Sequence, residues 1–370
     1  MKTTLKKEKY FHTFAPPEED INLAILHLNP QNSLKMIPLF GTIIGDICGS
    51  IYEFKNFKTD KPDSVELINE QCHFTDDTVL TAAVALVARL RAIGYTRKSY
   101  GKALHESGRE YPEIGYGPMF SKWLRKPSPY NILRRGTVPK PYNSFSNGSA
   151  MRVSAIGWYF EDEATVLEEA RLSAEPTHNH PEGIKGAQAV ALAIYLARNG
   201  ASKEQIKERI QKDFGYDMRR TLTEIRPTHK FDITCQGTVP VAIVAFLESN
   251  DFVSAIQNAI SLGGDADTIA AITGSIAEAY YRDIPDYLKQ FAIERLHTVH
   301  RDDFDNKRYK RDYYMQQMLC VWSHDVNTNV WCESYTRVPW REVNTDDPHA
   351  WVNYAMNRQQ FYAHVRYTYR

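Results

Sequence analysis

The sequence has few of the features that hold secreted, membrane-spanning or nucleic-acid-binding proteins together. Its five cysteines are widely spaced and include no CxxC pair, so neither a disulfide framework nor a thiolate zinc site is expected. No apolar run approaches the ~20 residues of a membrane-spanning helix, and no apolar segment follows the basic N-terminus as in a signal peptide. Basic and acidic residues balance at 45 each, which leaves no general attraction for nucleic acid. We therefore expect a soluble cytoplasmic protein that binds neither membranes nor nucleic acid.

Strand patterns are also scarce between residues 38 and 300. In nearly every segment there in which apolar residues recur regularly, their spacing is that of a helix, as in the alanine-rich runs 79–93 and 184–197. No connection in this region suggests a strand–helix–strand unit. The pattern predicts one compact all-α domain over residues 38–300.

The two flanks differ from this domain in composition. Residues 1–37 combine a basic start, Pro16-Pro17 and a short apolar segment, which fits either a frayed terminus or an arm that docks on the protein or on a partner. Residues 301–370 hold four of the six tryptophans, and parts of them alternate as strands do, which predicts a small β-containing C-terminal appendage. Basic residues around Tyr309 allow single-stranded nucleic-acid binding, but the later tryptophans lack basic neighbours, which favours packing.

Two clusters of aspartate and threonine occur at what look like helix starts. Residues 75–78 (TDDT) precede one alanine-rich run, and residues 265–268 (DADT) follow a Gly-Gly pair and precede another apolar run. Acids in the first turn of a helix cap free N–H groups and suit the helix dipole. Capping explains one such acid in each cluster better than it explains two.

The four aspartates of these clusters allow two interpretations. If the clusters meet, four like charges need cations between them, and oxygen ligands without cysteine suit Mg²⁺, Mn²⁺ or Ca²⁺. Two metals about 4 Å apart, bridged by a carboxylate, would satisfy such a set. If the clusters never meet, they are two separate helix caps. The pattern alone does not choose between these interpretations.

Three further segments stand out by their spacing. Gly41, Gly45 and Gly49 share one side of a helix over 39–50, where another backbone can approach closely. Small residues over 144–151 precede a short helix, an arrangement that holds phosphate oxygens but also occurs in ordinary turns. Two histidines in 177–183 allow a zinc site, although the lack of cysteine and of an i, i+4 pair favours polar groups that point into a pocket.

Taken together, these motifs resemble the ADP-ribosylglycohydrolase family from about Pro38 to about Pro285. Five segments match in the family's order, and the last is its most diagnostic motif: 45–50 with Glu53, 74–78, 144–152, 177–183 and 261–268. The resemblance implies an orthogonal all-α fold around a dinuclear Mg²⁺ centre, in which Mn²⁺ can substitute. It also implies hydrolysis of the bond between ADP-ribose and an acceptor, often an arginine in members that act on proteins.

The resemblance assigns expected roles to individual residues. The metal-ligand positions are Thr75, Asp76, Asp77, Asp265, Asp267 and Thr268. The substrate-binding positions are Gly115, Tyr116, Gly117, Asn147, Gly148, Ser149, Met151 and His178. Glu53 and Asp77 are the candidate catalytic acids, because cleavage of a glycosidic bond needs an activated water and a group that moves a proton.

Three functions follow from this resemblance. The first is Mg²⁺-dependent removal of ADP-ribose from a protein acceptor, most often arginine. In the second, the chain is an immunity protein that also binds and blocks an ADP-ribosyltransferase toxin through its N-terminal extension. The third is hydrolysis of small ADP-ribosylated metabolites or of O-acetyl-ADP-ribose.

Overall fold

The computed structural model describes residues 39–55, 57–92, 94, 99–126 and 138–297. Within these ranges the regular structure is helical, and the only β-type pairing is an isolated antiparallel bridge between Ser146 and Thr234. The all-α prediction for the central region is confirmed. The predicted N-terminal extension (1–37) and the β-containing appendage (301–370) lie outside the described residues, so the three-part division of the chain stays a prediction.

The helices follow one another in chain order between residues 40 and 297. They are α1 Phe40–Gly49, α2 Asp76–Ala92, α3 Tyr100–Glu110, α4 Pro118–Leu124, α5 Ser154–Tyr159, α6 Glu163–Ala174, α7 Pro181–Arg198, α8 Lys203–Phe214, α9 Leu222–Ile225, α10 Cys235–Leu247, α11 Phe252–Ile260, α12 Ala266–Tyr281 and α13 Asp286–His297, with 3₁₀ turns at Pro62–Ser64 and Asn147–Ser149. None of these helices is long and apolar enough to cross a membrane.

Helix α12 lies at the centre of the domain. Every residue from 266 to 279 is buried, so the helix has neighbours on all sides rather than on one face. Helices α1, α7, α10 and α11 pack around it. Its many alanines keep its surface close to the helix axis, which lets these neighbours approach closely.

The glycines of α1 lie against the backbone of α12, as their spacing predicts. A Cβ atom added at Gly45 would lie 2.2 Å from the carbonyl oxygen of Ala270, and one added at Gly49 would lie 2.4 Å from the Cα of Asp267. Gly41 meets Gly274 of α12 in the same way. This contact is backbone on backbone, and no larger residue fits there without separating the helices.

One helix contains a proline away from its first turn. Helix α10 begins at Cys235 and includes Pro240. The Thr234 hydroxyl accepts a hydrogen bond from the Gly237 N–H at 3.1 Å and so caps the helix. This cap and the burial of Cys235 and Val239 outweigh the hydrogen bond that the proline cannot donate.

A buried acid joins the start of α1 to α12. Glu278, only 6% exposed, accepts a hydrogen bond from the Gly41 N–H at 2.9 Å and takes the place of a capping side chain, which α1 lacks. Burial raises the pKa of Glu278 to about 8, although the N–H groups of Gly41 and Phe40 oppose the rise. The acid therefore takes up a proton on folding between about pH 4.5 and pH 8.

We predict that Gly45→Ala lowers the free energy of unfolding by about 1–3 kcal/mol or more, because the added methyl group overlaps the α12 backbone. Chemical denaturation measures this change. Gly117→Ala is the matched control, since Gly117 has open space around it and a φ of −55°, which alanine adopts freely. Equal stability of the two variants would contradict the close packing of α1 on α12.

We also predict that Glu278→Gln flattens the pH dependence of stability. A carboxyl whose pKa is higher in the folded than in the unfolded chain stabilises the fold fully at low pH, and this stability is lost as the pH rises. The free energy of unfolding of the unsubstituted protein should thus fall between pH 4.5 and about 8 more steeply than that of Glu278→Gln. Thermal unfolding across this range measures both slopes; parallel curves would show that Glu278 does not titrate as described.

Candidate active site

The two acidic clusters meet at the adjoining N-terminal ends of α2 and α12. The Thr268 hydroxyl donates a hydrogen bond to Asp77 Oδ2 at 3.1 Å, and thus joins the two helix starts directly. The interpretation as two separate caps is therefore wrong. Nor does Asp265, at the N-cap position of α12, cap that helix with its side chain.

Carboxylate oxygens gather in two groups of three at this junction. The oxygens of Asp46, Asp77 and Asp267 lie within 4.8 Å of one another, and so do those of Glu53, Asp265 and Asp267. Asp267 belongs to both groups. The two groups therefore adjoin each other, and each of them could hold a cation.

Burial and mutual repulsion raise the pKa of these acids. Burial has the largest effect on Asp77 and Asp267, and the charges of neighbouring carboxylates add to it. The pKa of Glu53 rises to about 8, first through burial and then through the charges of Asp265 and Asp76. So many buried carboxylates with few donors between them are stable as anions only beside positive charge.

The possible metal ligands at this junction suit a hard divalent cation, that is, one that prefers oxygen ligands. Asp77 Oδ1 is buried and has no hydrogen-bond partner. No lysine or arginine forms an ion pair with these carboxylates among the described residues. Carboxylate and hydroxyl oxygens are the ligands that Mg²⁺, Mn²⁺ and Ca²⁺ prefer. The residues present could therefore hold metal ions.

Asp46 has a role that the sequence pattern left undefined. It is fully buried in α1, and it accepts hydrogen bonds from the Thr75 N–H at 2.9 Å, the Thr75 hydroxyl at 2.7 Å and the Thr78 N–H at 3.1 Å. The Thr78 hydroxyl donates to it as well. Asp46 thus caps α2 from another helix and fixes the TDDT turn. Its only signal in the sequence is its place beside the glycine stripe of α1.

Asp76 lies at the edge of this junction rather than in either group of three. It is half-buried, and burial followed by the charges of Asp46 and Asp265 raises its pKa to about 7. A Cβ atom added at Gly115 would lie 3.9 Å from its Oδ1. The buried hydroxyl of Tyr116 lacks a hydrogen-bond partner, and the Asp76 charge helps to raise its pKa. Gly117, which precedes α4, has open space around it.

The predicted phosphate-binding segment borders the acids. Asn147 Nδ2 donates to Asp265 Oδ2 at 2.6 Å and to Thr238 Oγ1 at 3.0 Å, so the segment and the acidic cluster hold each other in place. The Ser149 hydroxyl donates to the Gly183 carbonyl at 2.7 Å and is fully buried. The Met151 side chain is buried too. Of residues 147–151, Gly148 is therefore the part that remains partly exposed.

His178 lies beneath this segment. A Cβ atom added at Gly148 would be 3.1 Å from His178 Nε2, so only glycine fits there without displacement. Burial and then the Arg152 charge hold the pKa of His178 well below its usual range. His180 caps α7 by accepting from the Glu182 N–H. Neither histidine belongs to a group of possible metal ligands among the described residues, and nothing supports the zinc interpretation.

We predict opposite effects for two aspartate-to-asparagine substitutions in the metal-free protein. Asp46→Asn lowers the free energy of unfolding by about 1–3 kcal/mol. The NH₂ group of the asparagine cannot accept the hydrogen bonds that the Thr75 and Thr78 N–H groups donate to the aspartate. Asp267→Asn raises the free energy of unfolding, because a charge among buried carboxylates is removed. Chemical denaturation in the presence of EDTA measures both. A loss of stability in both variants would contradict the repulsion that we assign to Asp267.

Comparisons with known proteins agree on one family. The model of the ADP-ribosylglycohydrolase family matches residues 38–312. Mouse ADP-ribosylhydrolase ARH3 is 28% identical over 323 residues, covering 68% of this chain and 85% of the relative. ADP-ribosylarginine hydrolase Tri1 of Pseudomonas putida strain GB-1 is 31% identical over 283 residues, covering 69% and 72%.

A solved structure has the same fold. It is described as an ADP-ribosylglycohydrolase-related protein complex, and it superposes with a TM-score of 0.52 at 23% identity over 77% of this chain and 96% of its own. The resemblance inferred from the five ordered motifs is thus confirmed over most of the chain. This protein belongs to the ADP-ribosylglycohydrolase family of hydrolases, which cleave glycosidic bonds of ADP-ribose.

Proposed function

We propose that this protein is a Mg²⁺-dependent hydrolase that removes ADP-ribose from arginine side chains of proteins. The observation that carries the proposal is the pair of carboxylate groups that share Asp267 beside a phosphate-type segment. An enzyme that cleaves an ADP-ribosyl bond needs both parts: a centre for the ribose and a grip on the diphosphate.

The metal ligands that we propose are those of the two joined helix starts. Asp77, Asp267 and Thr268 would hold one cation and Asp265 and Asp267 the second, with Thr75 and Asp76 completing the set. The Thr75 hydroxyl donates to Asp46 and accepts from the Asp77 N–H at 3.3 Å, which leaves one lone pair for a cation. Bound Mg²⁺ would fix ribose hydroxyls and lower the pKa of a water at the site, and Mn²⁺ would substitute for it.

Glu53 and Asp77 are the acids that we propose for proton transfer. Glu53 follows α1 and is half-buried, and its carboxylate lies within 4.8 Å of those of Asp265 and Asp267. A carboxylate this close to the cations could take a proton from a water bound there. Asp77, with its unpartnered Oδ1, is the second candidate.

Binding of the substrate would use the rest of the predicted set. The segment from Asn147 to Met151 and His178 would bind the diphosphate, because Gly148 is partly exposed and His178 lies directly beneath it. Gly115 and Tyr116 border Asp76 and would lie beside the ribose. Hydrogen bonds to the remote diphosphate would hold the scissile bond against the acids.

Arginine as the acceptor is supported by charge and by one relative. A guanidinium is positively charged, so the acidic site attracts an arginine-linked substrate more than a neutral one. Tri1, one of the relatives, is named an ADP-ribosylarginine hydrolase.

The alternative role, in which residues 1–37 bind and block an ADP-ribosyltransferase toxin, involves residues outside those that the structure describes and stays a prediction. A cytoplasmic location stays a prediction as well. Small ADP-ribosylated molecules remain the third candidate substrate.

We predict that the protein with Mg²⁺ releases ADP-ribose from arginine-modified protein, and that EDTA abolishes the release. Asp265→Asn should lower kcat/KM at least about a hundredfold, because a neutral amide replaces a charged ligand at the second cation position. Asp286→Asn is the matched control, since Asp286 is exposed at the start of α13. Chromatographic detection of free ADP-ribose measures the rates.

The same assay on serine-linked and O-acetyl-ADP-ribose substrates tests the acceptor. Preferential cleavage of either would contradict arginine while leaving the hydrolase intact. Release that persists at full rate in EDTA, or in Asp265→Asn, would contradict the metal-dependent mechanism.

A further inference from the structure

Two aromatic rings lie exposed beside the acidic site. Phe54, which directly follows Glu53, is 81% exposed, and Phe231 is 49% exposed. The two rings stack on each other, with centroids 5.9 Å apart and 29° between their planes. A contiguous apolar patch on a protein surface marks a site of interaction, and protein interfaces are enriched in aromatic residues. We call this pair the aromatic ledge.

The segment that carries Phe231 forms part of the wall of the site. The Ile233 carbonyl accepts a hydrogen bond from the Asn147 N–H at 2.7 Å. His229 of the same segment lies against the glycine pair that precedes α12, since a Cβ atom added at Gly264 would be 2.7 Å from His229 Nε2. The segment is thus held against both the phosphate-type segment and the start of α12. The aromatic ledge therefore has a fixed place at the rim of the site.

An open groove of about 630 Å³ begins at Phe231 and contains none of the acids of the junction. Apolar residues of α9 and α10 form part of its lining: Ile225, Pro240, Val241 and Val244. Three basic side chains line it as well, those of Lys185, Arg220 and Lys230. We call it the basic groove. Apolar and positively charged surfaces thus continue from the aromatic ledge along one path.

The charge that the basic groove leaves for a ligand is positive. Two acids line the groove, Asp217 and Asp232, and Asp217 forms an ion pair with Arg219 at 2.8 Å. Neither Arg220 nor Lys230 forms an ion pair with a carboxylate in the part of the chain that the structure describes. Two cations therefore remain, which complement acidic groups on a partner.

We propose that the aromatic ledge and the basic groove bind the polypeptide next to the modified arginine, and that they select apolar and acidic residues there. This inference rests on the proposed function, because it concerns the protein to which ADP-ribose is attached. The ADP-ribose would extend from the acids to the phosphate-type segment. The acceptor then begins at the acids, where Glu53 and hence Phe54 lie.

The geometry of the aromatic ledge favours a polypeptide over the adenine base of the substrate. The rings of Phe54 and Phe231 already contact each other, so no base fits between them. The groove extends from Phe231 away from the acids, and a small acceptor does not reach it. A polypeptide continues on both sides of its modified residue, and its side chains meet the ledge and the groove together.

Hydrolysis of two substrates that differ only in the polypeptide tests the inference. One is ADP-ribosylated arginine as the free amino acid, and the other is a peptide that is ADP-ribosylated at its single arginine and has leucine and glutamate on both sides. We expect Phe231→Ser and Lys230→Glu each to raise KM for the peptide about fivefold with kcat unchanged, because each loses one contact. Both kinetic constants for the free amino acid should stay the same.

Two controls belong to this experiment. Tyr287→Ser replaces an exposed aromatic residue of α13 and should change neither substrate's constants. A peptide with lysines in place of the glutamates should have a higher KM with the unsubstituted protein, and Lys230→Glu should reduce that difference. Phe231 and Lys230 are exposed, and hydrolysis of the free amino acid shows that their variants fold.

Unchanged KM values for the peptide in both variants would overturn the inference. So would an equal rise of KM for the free amino acid, since Phe231 would then belong to the site for ADP-ribose itself. Release from both substrates at KM values that the substitutions do not alter rejects the docking surface alone. A protein that releases ADP-ribose from neither substrate rejects the proposed function and this inference with it.

Discussion

The repulsion among carboxylates buried at one junction is the constraint on which the rest of this structure depends. Asp46, Asp77, Asp265 and Asp267 are all buried, and their oxygens face one another across the starts of α2 and α12. The surrounding fold has to hold them there against that repulsion. The backbone contact of α1 on α12 does so, because the glycines bring Asp46 and Asp267 closer than helices with larger side chains allow.

The same constraint links the parts of the site that are distant in sequence. Asp46 fixes the turn that carries Asp76 and Asp77, and Asn147 joins Asp265 to the phosphate-type segment. Arg152 and Thr177 hold His178 beneath that segment. A ligand that met both the acids and this segment would therefore find side chains that are already held in place, which reduces the reorganisation that binding requires.

Much of the fold follows from the sequence, since helical periodicity and the Gly41–Gly45–Gly49 spacing predict α1 and its close neighbour correctly. The clusters at residues 75–78 and 265–268 predict a cation site only if they lie together in the fold. The pattern of neighbouring residues in the sequence does not show whether two distant segments are in contact. Pro240 lies inside α10 although proline usually breaks a helix, because burial and the Thr234 cap stabilise this helix. Asp46 and Arg152 could not be assigned either, because their roles arise from partners 29 and 25 residues away.

The central claim is that Asp267 lies between two cation positions. Anomalous diffraction from crystals of this protein grown with Mn²⁺ tests it most directly, because Mn²⁺ suits the same oxygen ligands as Mg²⁺ and scatters anomalously. Our account predicts two peaks, one beside Asp77 and one beside Asp265, with a carboxylate oxygen of Asp267 near each. A map with no peak at these acids, or with peaks that do not involve Asp267, would contradict it.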